Sequence, residues 1–162
     1  MTMMEQDRAV LSRFDSVWAR VMPGPSAPET SGRDEAKLLR MMIDQTAASA
    51  GVLTALAQRE RCRAAKLQTL ACARKRMVLQ LQGAYYLVTG ERHAPGASCA
   101  VRHESAACLR CLWHTSRNLA AHARIAAADT DEPLLQTLCA ELAALLEDQQ
   151  PALEQLVCAV LG

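Results

Sequence analysis

Hydrophobic residues recur every three or four positions along most of the chain, which is the spacing of amphipathic helices. An N-terminal amphipathic segment spans residues 4–21, and a stretch rich in Pro, Gly and Ser, residues 22–32, follows it. We therefore divide the chain into an N-terminal helix and loop, residues 1–33, and a helical domain, residues 34–162. Within that domain the pattern predicts four long helices, at about 34–61, 64–88, 105–128 and 133–162.

The connections between the four predicted helices differ in length. The first and second helices, and the third and fourth, are joined by a few residues, which makes each pair an antiparallel hairpin. Residues 89–104 join the second helix to the third, and about 16 residues reach roughly 50 Å when extended. The second helix is only about 37 Å long. The expected fold is therefore an all-α four-helix bundle with two hairpins joined by a long crossover.

Glycine, aspartate and proline residues mark the expected helix ends. Gly90 is the natural C-terminal stop of the second helix. Asp131 is the expected N-cap of the last helix, with Pro133 in its first turn. Pro151 lies inside the same helix and is expected to kink it, since the proline ring crowds a preceding carbonyl.

Composition supports helices and argues against several partners. Ala and Leu dominate, which favours helix, and the net charge of +1 with 3% aromatic residues is unlike a nucleic-acid-binding surface. No apolar run approaches the ~20 residues that span a bilayer, and the N-terminus lacks the apolar centre of a signal peptide. We expect no nucleic acid partner, no membrane association and a cytoplasmic location. The seven cysteines are then expected to be mostly reduced.

Three segments of the sequence resemble a known family. They are LQGAYYLVTGER at 81–92, VWARVMP at 17–23 and AAADTDEPLL at 126–135. With them, the chain from about Val17 to Leu156 is similar to the bacterial ferritin-like family related to rubrerythrins. The resemblance implies a ferritin-like bundle with an extra N-terminal helical segment, and it is compatible with a homodimer or another protein partner.

Members of that family usually hold a carboxylate-bridged di-iron site in the bundle core. One Glu comes from each of the first and third helices, and a Glu-x-x-His pair from each of the other two, because residues three apart share a helix face. None of the matching positions in this chain is a carboxylate or a histidine, so the resemblance implies a bundle without its metal and no cofactor. The six vacated positions are Thr46, Arg74, Met77, Ser116, Leu146 and Gln149.

Arg74 stands on the apolar stripe of the second predicted helix, and two interpretations follow. It is either a buried cation whose donors are met by Gln149, Thr46 and Ser116, or a side chain that bends out to solvent at the edge of the bundle. The first interpretation predicts a polar cluster at the vacated metal site.

A second candidate site is the segment HAPGASCAVRHESAACLRCLWH, residues 93–114, which is rich in Cys and His. Cys108, Cys111 and His114 follow one another at steps of three, and zinc could recruit two or three of them with a ligand from the connecting loop, Cys99 or His103. The alternatives are that Cys108 and Cys111 are small buried helix residues or have a thiol redox role.

Two classes of function remain open from the sequence. The first is a non-catalytic, degenerate ferritin-like or rubrerythrin-like protein with a structural, regulatory or partner-binding role. The second is a metal-binding protein, either di-iron oxidoreductase-like with atypical ligands or zinc-binding at the Cys/His segment. Small residues at 47–51 of the first helix either allow close packing or leave a cavity for a small ligand.

Overall fold

A computed structural model describes residues 29–96, 101 and 103–162, so the N-terminal segment 4–21 lies outside the described residues. The described part is all-α, as expected, with no strand in it. A short 3₁₀ turn, Arg61–Arg63, joins the first two long helices. The four long helices are α1 (Glu29–Arg59), α2 (Ala64–Thr89), α3 (Ser105–Asp129) and α4 (Pro133–Leu161). None of these four has the length and apolar character that crossing a membrane requires.

The first helix begins earlier than the sequence pattern indicated. We assigned residues 22–32 to a loop and began the helix near Asp34, but α1 starts at Glu29 and includes Gly32. One glycine costs a helix only about 1 kcal/mol relative to alanine. A 31-residue helix that packs along most of its length offsets that cost.

The expected C-terminal stop of α2 is confirmed, whereas the expected N-cap of α4 needs one correction. Gly90 is left-handed, with φ of 74°, and its N–H donates to the Tyr86 carbonyl at 2.7 Å. Pro133 begins α4, but its N-cap is Glu132 rather than Asp131, because a proline at the first helical position makes the residue directly before it the cap. The helix continues through Pro151.

Side-chain contacts show that α3 and α4 run antiparallel. The Arg124 guanidinium, near the end of α3, donates to the Glu147 carboxylate at 2.8 and 3.0 Å. Trp113, earlier in α3, donates from Nε1 to Glu154 Oε1, later in α4, at 3.2 Å. These two helices therefore form one hairpin, and the closely packed α1 and α2 form the other.

Contacts between the hairpins fix the relative direction of the remaining helices. Lys66, at the start of α2, donates to Gln155 Oε1, near the end of α4, at 2.9 Å. Arg59, at the end of α1, donates to the carbonyls of Val101 and His103, just before α3, at 3.0 and 2.6 Å. The end of α2 and the start of α3 therefore lie at opposite ends of the bundle, as the expected long crossover requires.

The apolar core consists of two clusters, one toward each end of the bundle. All four helices contribute to each cluster, and most of the contributing side chains are fully buried. The first cluster includes Leu39, Met42, Ile43, Met77, Leu81, Leu119, Leu135, Leu142 and Leu146. The second cluster includes Leu53, Leu56, Leu67, Leu109, Leu112, Leu153 and Leu156.

Candidate functional site

Four buried polar residues, one from each helix, lie between the two apolar clusters. In each helix the polar residue follows the last residue of one cluster and precedes the first residue of the other. We call these four residues the polar layer. Their exposed fractions are 0% for Thr46, 1% for Arg74, 2% for Ser116 and 6% for Gln149.

Arg74 is the centre of the polar layer. Its Nε donates to Gln149 Oε1 at 2.7 Å, and its Nη1 donates to Ser116 Oγ at 2.9 Å. The Gln149 amide in turn donates to the Leu70 carbonyl at 3.2 Å, which holds the amide oxygen toward the guanidinium. The prediction of a buried arginine bonded to Gln149 and Ser116 is confirmed, and the alternative in which Arg74 reaches solvent is wrong.

Two polar atoms of the layer remain without a hydrogen-bond partner. Arg74 Nη2 and Thr46 Oγ1 are both buried, and neither finds a donor or acceptor among the described residues. The expected bond from Arg74 to Thr46 is therefore absent. Leaving a buried polar group unpaired costs about 1–3 kcal/mol, and more for a charged one.

No carboxylate of the described residues offsets the charge of Arg74. The ion pairs of the described residues join other side chains, and none includes Arg74. Burial lowers the pKa of the Arg74 guanidinium from 12.5 to about 10, because desolvation disfavours the charged form. The group still carries its proton at neutral pH, so the centre of the bundle contains a buried positive charge.

The six positions that the resemblance assigns to iron ligands do not fit a di-iron centre. Met77 and Leu146 are buried in the first apolar cluster, next to the polar layer. Together the six side chains provide hydroxyls, one amide, a thioether, a leucine and a guanidinium. Iron bridged by carboxylates needs several anionic oxygen ligands, and a cation among them adds repulsion.

The Cys/His segment does not come together as one cluster in the described residues. His93 lies beside the end of α2, where its Nε2 is 2.8 Å from Asp44 Oδ1 and its ring is 5.5 Å from that of Tyr85. Cys108 and His103 lie at the opposite end of the bundle, where the Cys108 thiol is 3.7 Å from the His103 carbonyl.

The zinc alternative gains no complete ligand set from this arrangement. Within residues 29–96, 101 and 103–162, no three His, Cys, Asp or Glu side chains are placed to hold a metal ion. Cys99 lies outside the described residues. Cys108 is half-buried, whereas Cys111 and His114 are exposed, so the interpretation of both cysteines as buried residues is wrong for Cys111.

A groove of about 1250 Å³ runs between α1 and α3. On the α1 side it is lined by Gln45, Ala48, Ser49 and Val52, which overlap the stretch of small residues seen in the sequence. On the α3 side its wall extends over several turns, from Ala107 to His122, and is largely apolar. Small side chains on α1 leave this space because they do not fill the gap to α3.

Ser116 belongs both to the wall of the groove and to the polar layer. Ser116 lines the groove, and its Oγ accepts the hydrogen bond from Arg74 Nη1. Arg74 itself is not part of the wall, so the groove borders the acceptor of its hydrogen bond rather than the guanidinium. From the sequence, the small residues of α1 were compatible with either close packing or a cavity, and nothing indicated that α3 would form the opposite wall.

Comparisons with known proteins add no relative: no family model, no curated protein and no solved structure matches this chain. The resemblance to the ferritin-like family therefore stays a prediction.

Proposed function

We propose that the protein is a ferritin-like bundle that has lost its di-iron site and acts as a non-catalytic binding protein. The observation that carries the proposal is the burial of Arg74 at a position where the family resemblance expects an iron-binding Glu. Thr46, Ser116 and Gln149 stand at three more of these positions and lie on the same level of the bundle.

The polar layer gives the bundle a different centre from that of a di-iron protein. Two neutral side chains accept hydrogen bonds from the guanidinium, so Arg74 is held without a metal. Bringing iron into this space would place its charge against a buried cation, which costs several kcal/mol in a low-dielectric core. The groove beside the layer supplies a surface for binding and points to a ligand or a partner rather than to oxygen chemistry.

Metal analysis tests the proposal directly. The protein is purified from cells supplied with iron and zinc, and both metals are measured per chain by elemental analysis. We expect no iron above the level found in an unrelated protein purified in parallel. Near-stoichiometric iron would refute the proposal, and stoichiometric zinc that disappears in Cys108→Ser/Cys111→Ser would favour the zinc alternative.

Restoring the ligands provides the matching gain-of-function experiment. The variant carries Glu at positions 46, 74, 116 and 146 and His at positions 77 and 149, and it is refolded with ferrous iron. If these positions are equivalent to the family's ligands, the variant should bind iron and the wild-type chain should not. A variant that is helical by circular dichroism but takes up no iron would contradict the assignment of the positions.

A further inference from the structure

We propose that the groove between α1 and α3 binds a small organic monocarboxylate, whose carboxylate pairs with Arg74 and whose apolar part lies along the groove. The inference rests on the proposed function, because a metal at the centre of the bundle would occupy the same space. Arg74 Nη2 is buried and has no hydrogen-bond partner among the described residues, and the groove reaches the same level of the bundle through Ser116.

The buried guanidinium has N–H donors left over and, among the described residues, no carboxylate partner. A guanidinium has five N–H donors. Two neutral atoms, Gln149 Oε1 and Ser116 Oγ, accept hydrogen bonds from Arg74. Its Nη2 has no acceptor among the described residues. An anion with two oxygens satisfies the free donors and neutralises the charge at the same time.

Ser116 is the residue that connects the groove with Arg74. It lies in the wall of the groove, and its Oγ is 2.9 Å from Arg74 Nη1. On the facing helix, Gln45 and Ser49 line the groove on either side of Thr46 in the sequence. The Thr46 hydroxyl is buried and has no partner within the described part of the chain, so it is a second group of the layer for a ligand to hydrogen-bond.

The chemistry of the site selects the class of ligand. A carboxylate is planar and carries one negative charge, which matches one guanidinium in both geometry and charge. A doubly charged phosphate would leave an uncompensated negative charge in the same apolar surroundings. On α3, Leu112 and Leu119 line the groove about one turn on each side of Ser116, so the part of the ligand next to the carboxylate meets apolar surface.

The groove is also large enough for an apolar tail. Its volume of about 1250 Å³ exceeds the roughly 300–1,000 Å³ that is usual for small-molecule sites. Acetate would fill only the neighbourhood of the polar layer, whereas a longer chain would cover the apolar wall. Affinity should therefore rise with chain length, provided that the carboxylate is present.

Binding is measured by thermal unfolding and isothermal titration calorimetry with acetate, butanoate and octanoate at constant ionic strength. Octan-1-ol, which has the same tail without the charge, serves as the matched control ligand. We expect octanoate to raise the unfolding temperature in a concentration-dependent way and to bind more tightly than acetate. Octan-1-ol should produce no comparable shift.

Three variants separate the contribution of the charge from that of the groove. Arg74→Met should bind octanoate roughly 10- to 100-fold more weakly, the range expected for hydrogen bonds to a charged group. Arg76→Met, an exposed arginine of the same helix, should bind it like the wild type. Ala48→Trp places a large ring in the groove from an exposed position and should weaken octanoate more than acetate.

Several outcomes would overturn the inference. Equal binding of octanoate and octan-1-ol, or unchanged octanoate binding by a folded Arg74→Met protein, would show that Arg74 does not recognise the ligand. No response to any carboxylate would mean that water alone completes the polar layer. In each of these cases a metal-free protein would leave the proposed function standing, whereas stoichiometric iron would refute the proposed function whatever the carboxylates do.

Discussion

Two truncations of Arg74 are expected to differ sharply in their effect on stability. In Arg74→Ala the free energy of unfolding should fall by about 3 kcal/mol, whereas in Arg74→Met it should stay within about 1 kcal/mol of the wild type. Methionine fills most of the space of the arginine without its charge. The comparison therefore separates the packing of this side chain from the cost of burying its charge.

The magnitude follows from three contributions at the polar layer. Gln149 Oε1 and Ser116 Oγ lose their donor in both variants, which costs about 1–2 kcal/mol for each acceptor. Only alanine removes two methylenes and leaves a cavity, at a further cost of about 3–4 kcal/mol. Both variants relieve the buried charge: the pKa of Arg74 falls from 12.5 to about 10, which corresponds to about 3 kcal/mol.

Urea unfolding followed by circular dichroism measures these differences. Arg76→Ala, at an exposed position one half-turn away, is the control and should change stability by less than about 0.5 kcal/mol. If Arg74→Met destabilises the protein as much as Arg74→Ala does, the burial cost that we assign to the charge is wrong. If neither variant differs from the control, Arg74 is not buried in solution.

Three further predictions concern a helix end, the core and a buried thiol. Gly90→Ala should lower the free energy of unfolding by about 1 kcal/mol, because Gly90 has a φ of 74°. Gly83 lies inside α2 with open space around it, so Gly83→Ala should raise the free energy of unfolding by about 0.5–1 kcal/mol in the same urea experiment. Leu142→Ala, at a fully buried position, should cost about 2–5 kcal/mol by the same measurement, and a loss below about 1 kcal/mol would contradict its place in the core. Burial raises the pKa of the Cys139 thiol to about 11, so at pH 8 iodoacetamide should alkylate it much more slowly than the exposed Cys72, and equal rates by mass spectrometry would contradict this.

The helices and the two hairpins followed from the sequence alone. A helix buries one face, and the recurrence of Leu at steps of three and four identifies that face from nearby residues alone, whichever helix packs against it. The first helix is one exception. It begins at Glu29, because a glycine and a serine do not stop a helix whose packing against its neighbours stabilises it enough. The N-cap of α4 is Glu132 and not the expected Asp131, because Pro133 is the first helical residue and the residue before it is the cap.

The candidate site could be predicted in part. The position of Arg74 on an apolar stripe indicated burial, and the family resemblance indicated which residues of the other helices lie on its level. Gln149 and Ser116 were predicted correctly as its acceptors. The missing bond to Thr46 was not predicted, since the distance between two side chains on different helices depends on the packing of the whole bundle.

What the sequence determined by itself is therefore the set of helices, their apolar faces and the position of Arg74 on one of those faces. These properties depend on residues a few positions apart, whose geometry a helix fixes. The tertiary structure alone decided that α1 and α3 leave a groove beside Ser116, that Cys111 faces solvent and that His93 pairs with Asp44. These properties depend on residues far apart in the chain, whose spacing is set only when the helices pack against one another.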